Sequence, residues 1–159
     1  MRNLAALIVL AAALTAAAGN AYGRTDRTDA VPFLSHVVRL IAANDYATAY
    51  PLLHPAQRRL VPLADYAACE GLSPVPGRLS SLRVLRTTHE RIHVAGTSAG
   101  RVPSTAVTFE LQLTGSRLEG SATVQLTAHA VSVAGRWAWI LSARRLAYDG
   151  SGTCGIVAD

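Results

Sequence analysis

The spacing of apolar residues changes at about residue 79, and this change limits the fold more than any other feature of the chain. Before it, apolar side chains recur at the i, i+3, i+4 and i+7 positions of an amphipathic helix. The first such set is Leu34, Val37, Val38 and Ile41. After it, apolar and polar residues alternate with the period of two that is typical of a half-buried strand. A helical first half followed by a strand-rich second half predicts an α+β fold, with helices packed on one face of a bent antiparallel sheet.

The helical half divides at its polar residues and prolines. A first helix is predicted over about 31–43. Asn44-Asp45 forms a break and a new N-cap, and the short second helix that follows is disturbed at Pro51. After a further turn, a third helix ends at Gly71, a residue type that commonly terminates helices.

Four strands are predicted in the second half. They span about 79–94 with a bend, 104–114, 118–133 and 136–148. The intervening turns at 115–117 and 134–135 are short enough to make consecutive hairpins. The expected sheet is therefore antiparallel, with neighbouring strands adjacent in sequence.

Alternation assigns the side chains of these strands to two faces of the sheet. The inner, apolar face is predicted to hold Val107, Phe109, Leu111, Leu113, Val124, Leu126, Ala128, Ala130, Trp137, Trp139 and Leu141. The opposite face is polar and rich in threonine, and it carries Glu110 and His129. Because no acidic residue falls on the inner face of the strands, the sheet itself supplies no carboxylate for acid–base chemistry there.

The first 21 residues have the features of a secretory signal peptide: Arg2, an apolar run over 4–18, and small residues at the end. The run has 15 residues, fewer than the roughly 20 that a membrane-spanning helix needs. We therefore expect an exported, secreted or extracytoplasmic protein without a stable membrane span after processing; an uncleaved anchor is the alternative. The predicted organisation is a signal peptide over 1–21, a flexible segment over 22–30, one domain over 31–154 and a tail over 155–159.

Cysteine and charge content narrow the chemistry. Cys69 and Cys154 are the only cysteines of the chain, and an even pair in an exported protein predicts a disulfide. Without Arg2, 14 arginines face 10 acidic residues, a net charge of +4. So small an excess, spread along the chain, indicates a solvated surface and no nucleic-acid partner. A weak preference for anionic envelope polymers or lipid headgroups remains an alternative.

No metal or cofactor is predicted. His89 and His93 have the i, i+4 spacing of a helical metal site, but on a strand this spacing corresponds to about 13 Å. Two side chains so far apart cannot ligate one ion. The glycines at 150, 152 and 155 match the letters of a dinucleotide fingerprint, but no strand–helix–strand unit surrounds them.

Several phrases of the sequence support a family resemblance. They are Asp45-Tyr46-Ala47-Thr48-Ala49-Tyr50, Leu52-Leu53-His54-Pro55, Cys69, Ser104-Thr105-Ala106-Val107, His129-Ala130-Val131 and Gly135-Arg136-Trp137-Ala138-Trp139-Ile140-Leu141. Together they resemble the small secreted NTF2-like proteins of actinobacteria, over about 32–154. The resemblance implies a cystatin-like cone of helices on a bent sheet. Families with this fold include isomerases, dehydratases, adaptors and envelope-associated modules, so the fold does not select an activity.

Three functions follow as hypotheses. The first is a non-catalytic module that binds a protein, an envelope component or a second copy of itself, with the threonine-rich sheet face as the suggested surface. The second is a carrier of a small apolar ligand, for which the expected binding residues are Tyr46, Tyr50, Phe109, Trp137 and Trp139. The third is an isomerase- or dehydratase-like enzyme with Asp65 beside the tyrosines. No catalytic residue is assigned.

Overall fold

The computed structural model describes residues 30–115, 120–151 and 154. The helices are α1 (Ala30–Ala42), α2 (Tyr46–Ala49), α3 (Pro55–Leu60), α4 (Leu63–Gly71) and α5 (Ala143–Gly150), with a 3₁₀ turn over Tyr50–Leu52. The strands are β1 (Arg78–Ile92), β2 (Val102–Thr114), β3 (Ser121–Val133) and β4 (Arg136–Trp139). Helices and a four-stranded antiparallel sheet confirm the α+β class.

The helical half follows the predicted divisions closely. In α1 the apolar stripe is buried, including Leu34, Val37 and Val38. Asp45 is the N-cap of α2, where its carboxylate accepts a hydrogen bond from the backbone N–H of Thr48 at 3.2 Å. Such caps satisfy helix N–H groups that have no partner inside the helix. The Asp45 cap therefore marks where α2 starts.

The strands pair in the order β1-β2-β3-β4, so each strand lies beside its neighbours in sequence. The connection from β3 to β4 is the two residues Ala134 and Gly135, whose φ angles are 50° and 76°. Positive φ at both central positions is the geometry of a tight hairpin turn that matches strand twist. The bend predicted in β1 corresponds to register shifts between Leu79 and Ser81 and between Val84 and Arg86.

The inner face of the sheet packs against α1 to form the core. Phe109 and Val107 on β2 and Leu34 on α1 are fully buried. Predicted inner-face residues of β2 and β3 lie opposite one another in the register: Val107 pairs with Ala128, Phe109 with Leu126 and Leu111 with Val124. Both tryptophans alternate onto this same face of β4. The face assignment from the sequence is thus confirmed.

The prediction of a last strand over 136–148 is wrong beyond Trp139. At Leu141 the backbone N–H donates to Oε1 of Gln57 at 2.9 Å, and the backbone carbonyl accepts from Nε2 of Gln57 at 3.0 Å. Ser142 then caps α5 by accepting a hydrogen bond from the N–H of Arg145 at 3.1 Å. The buried side chain of Gln57 thus satisfies the backbone groups of Leu141 that a neighbouring strand would otherwise pair. The chain leaves the sheet here and continues as a helix.

A disulfide joins Cys69 in α4 to Cys154, as predicted. It ties the residues after α5 to the helical half, and the hydroxyl of Tyr148 donates to the backbone carbonyl of Cys69 at 3.4 Å beside it. The predicted signal peptide over 1–21, nearly all of the predicted flexible segment over 22–30, the tail over 155–159 and part of the first hairpin turn lie outside the described residues. Within the described ranges, no helix is long and apolar enough to cross a membrane.

Candidate ligand-binding cleft

An apolar cleft of about 870 Å³ lies between α1, the segment 73–76 that follows α4, and the inner face of the sheet. Its apolar lining includes Val37, Val38, Ile41, Val75, Leu111, Leu113, Val124, Leu126, Ala128, Trp139, Ile140 and Leu141. This volume is within the range of small-molecule sites in proteins, about 300 to 1,000 Å³. The cleft therefore has the size and the wall chemistry of a site for a small apolar molecule.

The cleft exists because the helices and β4 cover only part of the sheet. Leu111 on β2 is 5% exposed, whereas Val124, its partner on β3, is 40% exposed. β4 pairs with only the last four residues of β3, from Ala130 to Val133. The chain then leaves the sheet, so the preceding part of β3 keeps an open apolar inner face at the mouth of the cleft.

One end of the cleft is polar and consists of Glu70 from α4 and Arg145 from α5. Nε and Nη2 of Arg145 donate to Oε1 and Oε2 of Glu70 at 2.6 and 2.5 Å, a bidentate ion pair. Burial lowers the pKa of Arg145, but the hydrogen bond and charge of Glu70 outweigh burial, so the pKa is raised. The pair therefore places a fixed, internally neutralised polar group beside apolar walls.

Asp149 lies next to this pair but does not line the cleft. Its side chain is 0% exposed, and neither carboxylate oxygen has a hydrogen-bond partner among the described residues. Oδ1 is 3.7 Å from Nε of Arg145, beyond hydrogen-bond distance. Burial, followed by the charge of Glu70, raises the pKa of Asp149 to about 7. The carboxyl group therefore keeps its proton below neutral pH. Asp149 neighbours the cleft only through Arg145, which lies beside it and lines the cleft.

Tyr66 on α4 is the third polar group at this end of the cleft. Its side chain is almost fully buried, and its ring packs against those of Tyr46, Tyr50 and Trp139. Burial, followed by the charges of Glu70 and Asp149, raises the pKa of Tyr66. A neutral phenol that lines the cleft can donate a hydrogen bond to a bound molecule.

Of the five aromatic residues predicted to bind a ligand, only Trp139 lines this cleft. Its indole N–H donates to the carbonyl of Ala49 at 3.2 Å, and its ring centroid lies 6.5 Å from that of Tyr66. Tyr46 and Tyr50 pack against Tyr66 at 6.1 and 5.7 Å instead. These two tyrosines fill the space between the helices and do not line the cleft.

The hydroxyls of the two tyrosines have partners within the helical half. Tyr46 donates to Oδ1 of Asn44 at 2.7 Å, and the Tyr50 hydroxyl lies 2.8 Å from the carbonyl of Val61 and 2.9 Å from that of Arg58. Both rings thus have the satisfied polar tip expected of core tyrosines.

Phe109 and Trp137 lie elsewhere on the inner face. Phe109 is fully buried in the core under α1. Trp137, opposite Ser132, is half-buried near the end of the sheet and borders two smaller surface depressions. Neither residue lines the apolar cleft, so the predicted aromatic set does not form one continuous wall.

Asp65, the acid predicted to lie beside the tyrosines, is half-exposed in the first turn of α4 and does not line the cleft. Sequence reasoning missed Glu70, Arg145 and Asp149. The spacing of Arg145 and Asp149, four residues apart, was the available signal, because it places both side chains on one face of a helix. The prediction of a strand over this segment hides that signal.

The outer face of the sheet carries polar pairs between strands. Nη2 of Arg83 donates to Oε1 of Glu110 at 2.8 Å. Nδ1 of His129 lies 3.4 Å from Oε1 of Glu90. Both Glu110 and His129 thus occupy the polar face, as the alternation predicts. Their charged partners come from β1.

His89, one of the two histidines considered for metal binding, contacts a neighbouring strand. Nδ1 of His89 lies 3.2 Å from the hydroxyl of Thr105 on the neighbouring strand. Over residues 30–115, 120–151 and 154, no group of three or more His, Cys, Asp or Glu side chains could hold a metal ion.

No protein-family model, no curated protein and no solved structure matches the chain.

Proposed function

We propose that this chain is an exported binding protein that carries a small, mainly apolar molecule in the cleft. The observation that carries the proposal is the 870 Å³ apolar cleft itself, in which Val124 stays 40% exposed although Leu111, its partner on the same sheet face, is 5% exposed. Covering apolar surface stabilises a complex by about 25 cal/mol per Å² of area removed from water. A ligand that covers this face would gain that free energy without rearranging the core.

The polar end of the cleft supports a ligand with a neutral polar group. Glu70 and Arg145 already neutralise each other through two hydrogen bonds. A ligand carboxylate would therefore meet Glu70 at close range without a free cation to offset it. A hydroxyl or carbonyl group could instead bond to the Tyr66 phenol and to the rim of the ion pair. We infer that the ligand is an apolar molecule with a hydroxyl or carbonyl at one end.

Export and the cone-shaped NTF2-like architecture belong to the same proposal. A disulfide is typical of proteins that work in an oxidising compartment. The signal-peptide pattern and the sequence phrases quoted above support export and the family resemblance. Helices over one face of a bent sheet, with a cleft between them, are compatible with such a cone.

The test is titration of the oxidised protein with dodecanol and, separately, with dodecanoate, followed by tryptophan fluorescence. Because Trp139 lines the cleft, we expect saturable binding of the alcohol to change the emission. We expect the carboxylate to bind at least tenfold more weakly. No saturable change with either probe would contradict the proposed function. Tighter binding of the carboxylate would contradict the inferred ligand class.

Two matched variants locate the binding site. Ala128→Phe adds a ring on the inner face, where Ala128 lines the cleft, and we expect it to abolish binding. Ser81→Phe adds the same ring at an exposed position paired with Gln112, on the outer face, and should leave binding unchanged. Equal effects of the two variants would place the bound probe elsewhere.

Partner binding, the first hypothesis from the sequence, is the second candidate function. Cross-strand bonds occupy part of the threonine-rich outer face, such as that between the hydroxyls of Thr108 and Thr127 at 2.9 Å. The observation that favours an interaction is a different one, the edge of β3, which has no strand partner from Ser121 to Ala128 among the described residues.

A further inference from the structure

We propose that a second copy of this chain pairs with the free edge of β3, giving a two-fold dimer with a continuous eight-stranded sheet. The inference does not depend on a ligand in the cleft. Its basis is an edge that lacks a strand partner among the described residues, together with a sequence along that edge that is complementary to itself.

The free edge follows from the early end of β4. β4 pairs with Ala130–Val133, and the N–H of Ile140 makes one further bond to the carbonyl of His129 at 3.3 Å. From Ser121 to Ala128, β3 pairs within the described chain only with β2. These eight positions span about 26 Å of strand. An edge of this length presents a row of unpaired N–H and C=O groups.

The hairpin geometry identifies the residues whose backbone groups face this edge. In a two-residue hairpin the flanking residues, here Val133 and Arg136, form a hydrogen-bonded pair. The backbone N–H and C=O groups of successive residues in a strand point to opposite sides, so those of Val133 and of every second residue before it point to the side of β4. The bond from the N–H of Ile140 to the carbonyl of His129 agrees with this assignment. By the same alternation, the backbone N–H and C=O groups of four residues point towards the free edge: Ser121, Thr123, Gln125 and Thr127.

The edge carries few of the features that normally prevent strands from pairing. Its sequence from Ser121 to Ala128 has no charge, proline or glycine, and its register with β2 is uninterrupted. The other edge of the sheet, β1, has two register shifts and arginines at 78, 83, 86 and 91. Bulges and charged side chains are the usual protection of an edge strand. Of these two edges, that of β3 is the one suited to pairing.

A second copy fits this edge in one antiparallel register. With the two-fold axis at Val124, Ser121 lies opposite Thr127 of the second copy and Thr123 lies opposite Gln125. All four edge-facing residues are then paired, giving about eight backbone hydrogen bonds. On the inner face Val124 meets its own copy and Leu126 meets Ala122, so a large side chain faces a small one. The 40% exposure of Val124 provides the apolar contact at the centre.

The proposed contact between the two copies is small, so we expect it to be weak. About eight residues a side are fewer than the 20 to 30 of a standard stable interface. We therefore expect a reversible dimer that dissociates on dilution. Because the paired segments carry no charge, the net positive charge of the chain opposes it only at a distance.

The test uses cysteine cross-linking of the full, exported chain. In the proposed register Val124 forms a non-hydrogen-bonded pair with its copy, with Cα atoms about 4.5 Å apart, within the range of a disulfide. Val124→Cys should therefore give a covalent dimer under mild oxidation. Ala122→Cys, the matched control, is four residues out of register with its own copy, about 13 Å away, and should not cross-link. The two native cysteines are paired with each other.

Sedimentation velocity over a concentration series completes the test. We expect the unmodified protein to pass from monomer to dimer. Thr123→Lys with Gln125→Lys, which sets like charges opposite each other, should abolish the dimer. Ser81→Lys with Thr87→Lys, at exposed positions of β1, adds the same charge and should preserve it. A monomer at every concentration, equal cross-linking of both cysteine variants, or pairing only with a different protein would each overturn the proposal.

Discussion

Replacement of Asp149 by asparagine should change how the stability of this protein depends on pH. The carboxyl group is fully buried, its oxygens lack hydrogen-bond partners among the described residues, and the nearest cationic group, Nε of Arg145, is 3.7 Å away and already bonded to Glu70. Burial is the largest cause that raises its pKa, from 3.8 to about 7. Asparagine has nearly the same shape and cannot ionise.

The sign and size follow from proton linkage. Between pH 4 and 7 the unfolded chain has lost this proton and the folded chain retains it, so the free energy of unfolding falls as pH rises. Below that window both states are protonated, and above it the loss is complete. A shift from 3.8 to about 7, at 1.36 kcal/mol per pH unit, amounts to about 4 kcal/mol. Asp149→Asn should match the unmodified protein near pH 4 and be more stable by up to this amount at pH 8.

Urea unfolding at constant ionic strength, from pH 4 to pH 8.5, measures the difference between the two proteins. Titrating groups that do not interact with Asp149 contribute equally to both and cancel in the difference. Asp65→Asn, the same change at a half-exposed position of α4, controls for the loss of one carboxylate. A difference between Asp149→Asn and the unmodified protein that is constant across this pH range would refute the reasoning.

Three further changes test how the fold is held together, each by chemical or thermal unfolding. Replacing Cys69 and Cys154 by serine opens a loop with a sequence separation of 85, and we expect a loss of up to about 4 to 5 kcal/mol; an unchanged melting temperature would contradict this. Gln57→Leu leaves the N–H and C=O of Leu141 without partners in the core, at about 1 to 3 kcal/mol each; a neutral result would show that other groups replace them. Trp139→Ala removes a ring that packs in the core and also lines the cleft, and it should cost about 3 to 5 kcal/mol, whereas a near-neutral result would show that the core contacts of this ring contribute little.

The helices and the first three strands could be predicted because local chemistry determines them. Asp45 accepts the hydrogen bond that starts α2, and the alternation in β2 places Phe109 in the core. The last strand could not be predicted beyond Trp139. Its continuation as a helix depends on Gln57, which is 84 positions from Leu141 in sequence and pairs with it only in the folded chain.

The candidate site was harder to predict than the fold. Periodicity shows which face a side chain occupies, but not whether that face is filled by neighbours or left open. Tyr46 and Tyr50 lie inside, as expected, yet their neighbours fill the space around them. Arg145 reaches the cleft only because α5 forms, so its ion pair with Glu70 could not follow from a predicted strand.

Native and denaturing mass spectra of the protein, purified from a host that exports it, test the central claim most directly. We predict a native mass that exceeds the chain mass by one small molecule, and loss of that molecule on denaturation. Its identification should give a mainly apolar compound with a hydroxyl or carbonyl group. A chain with an empty cleft, followed by no saturable binding of dodecanol, would contradict the account of this protein as a ligand carrier.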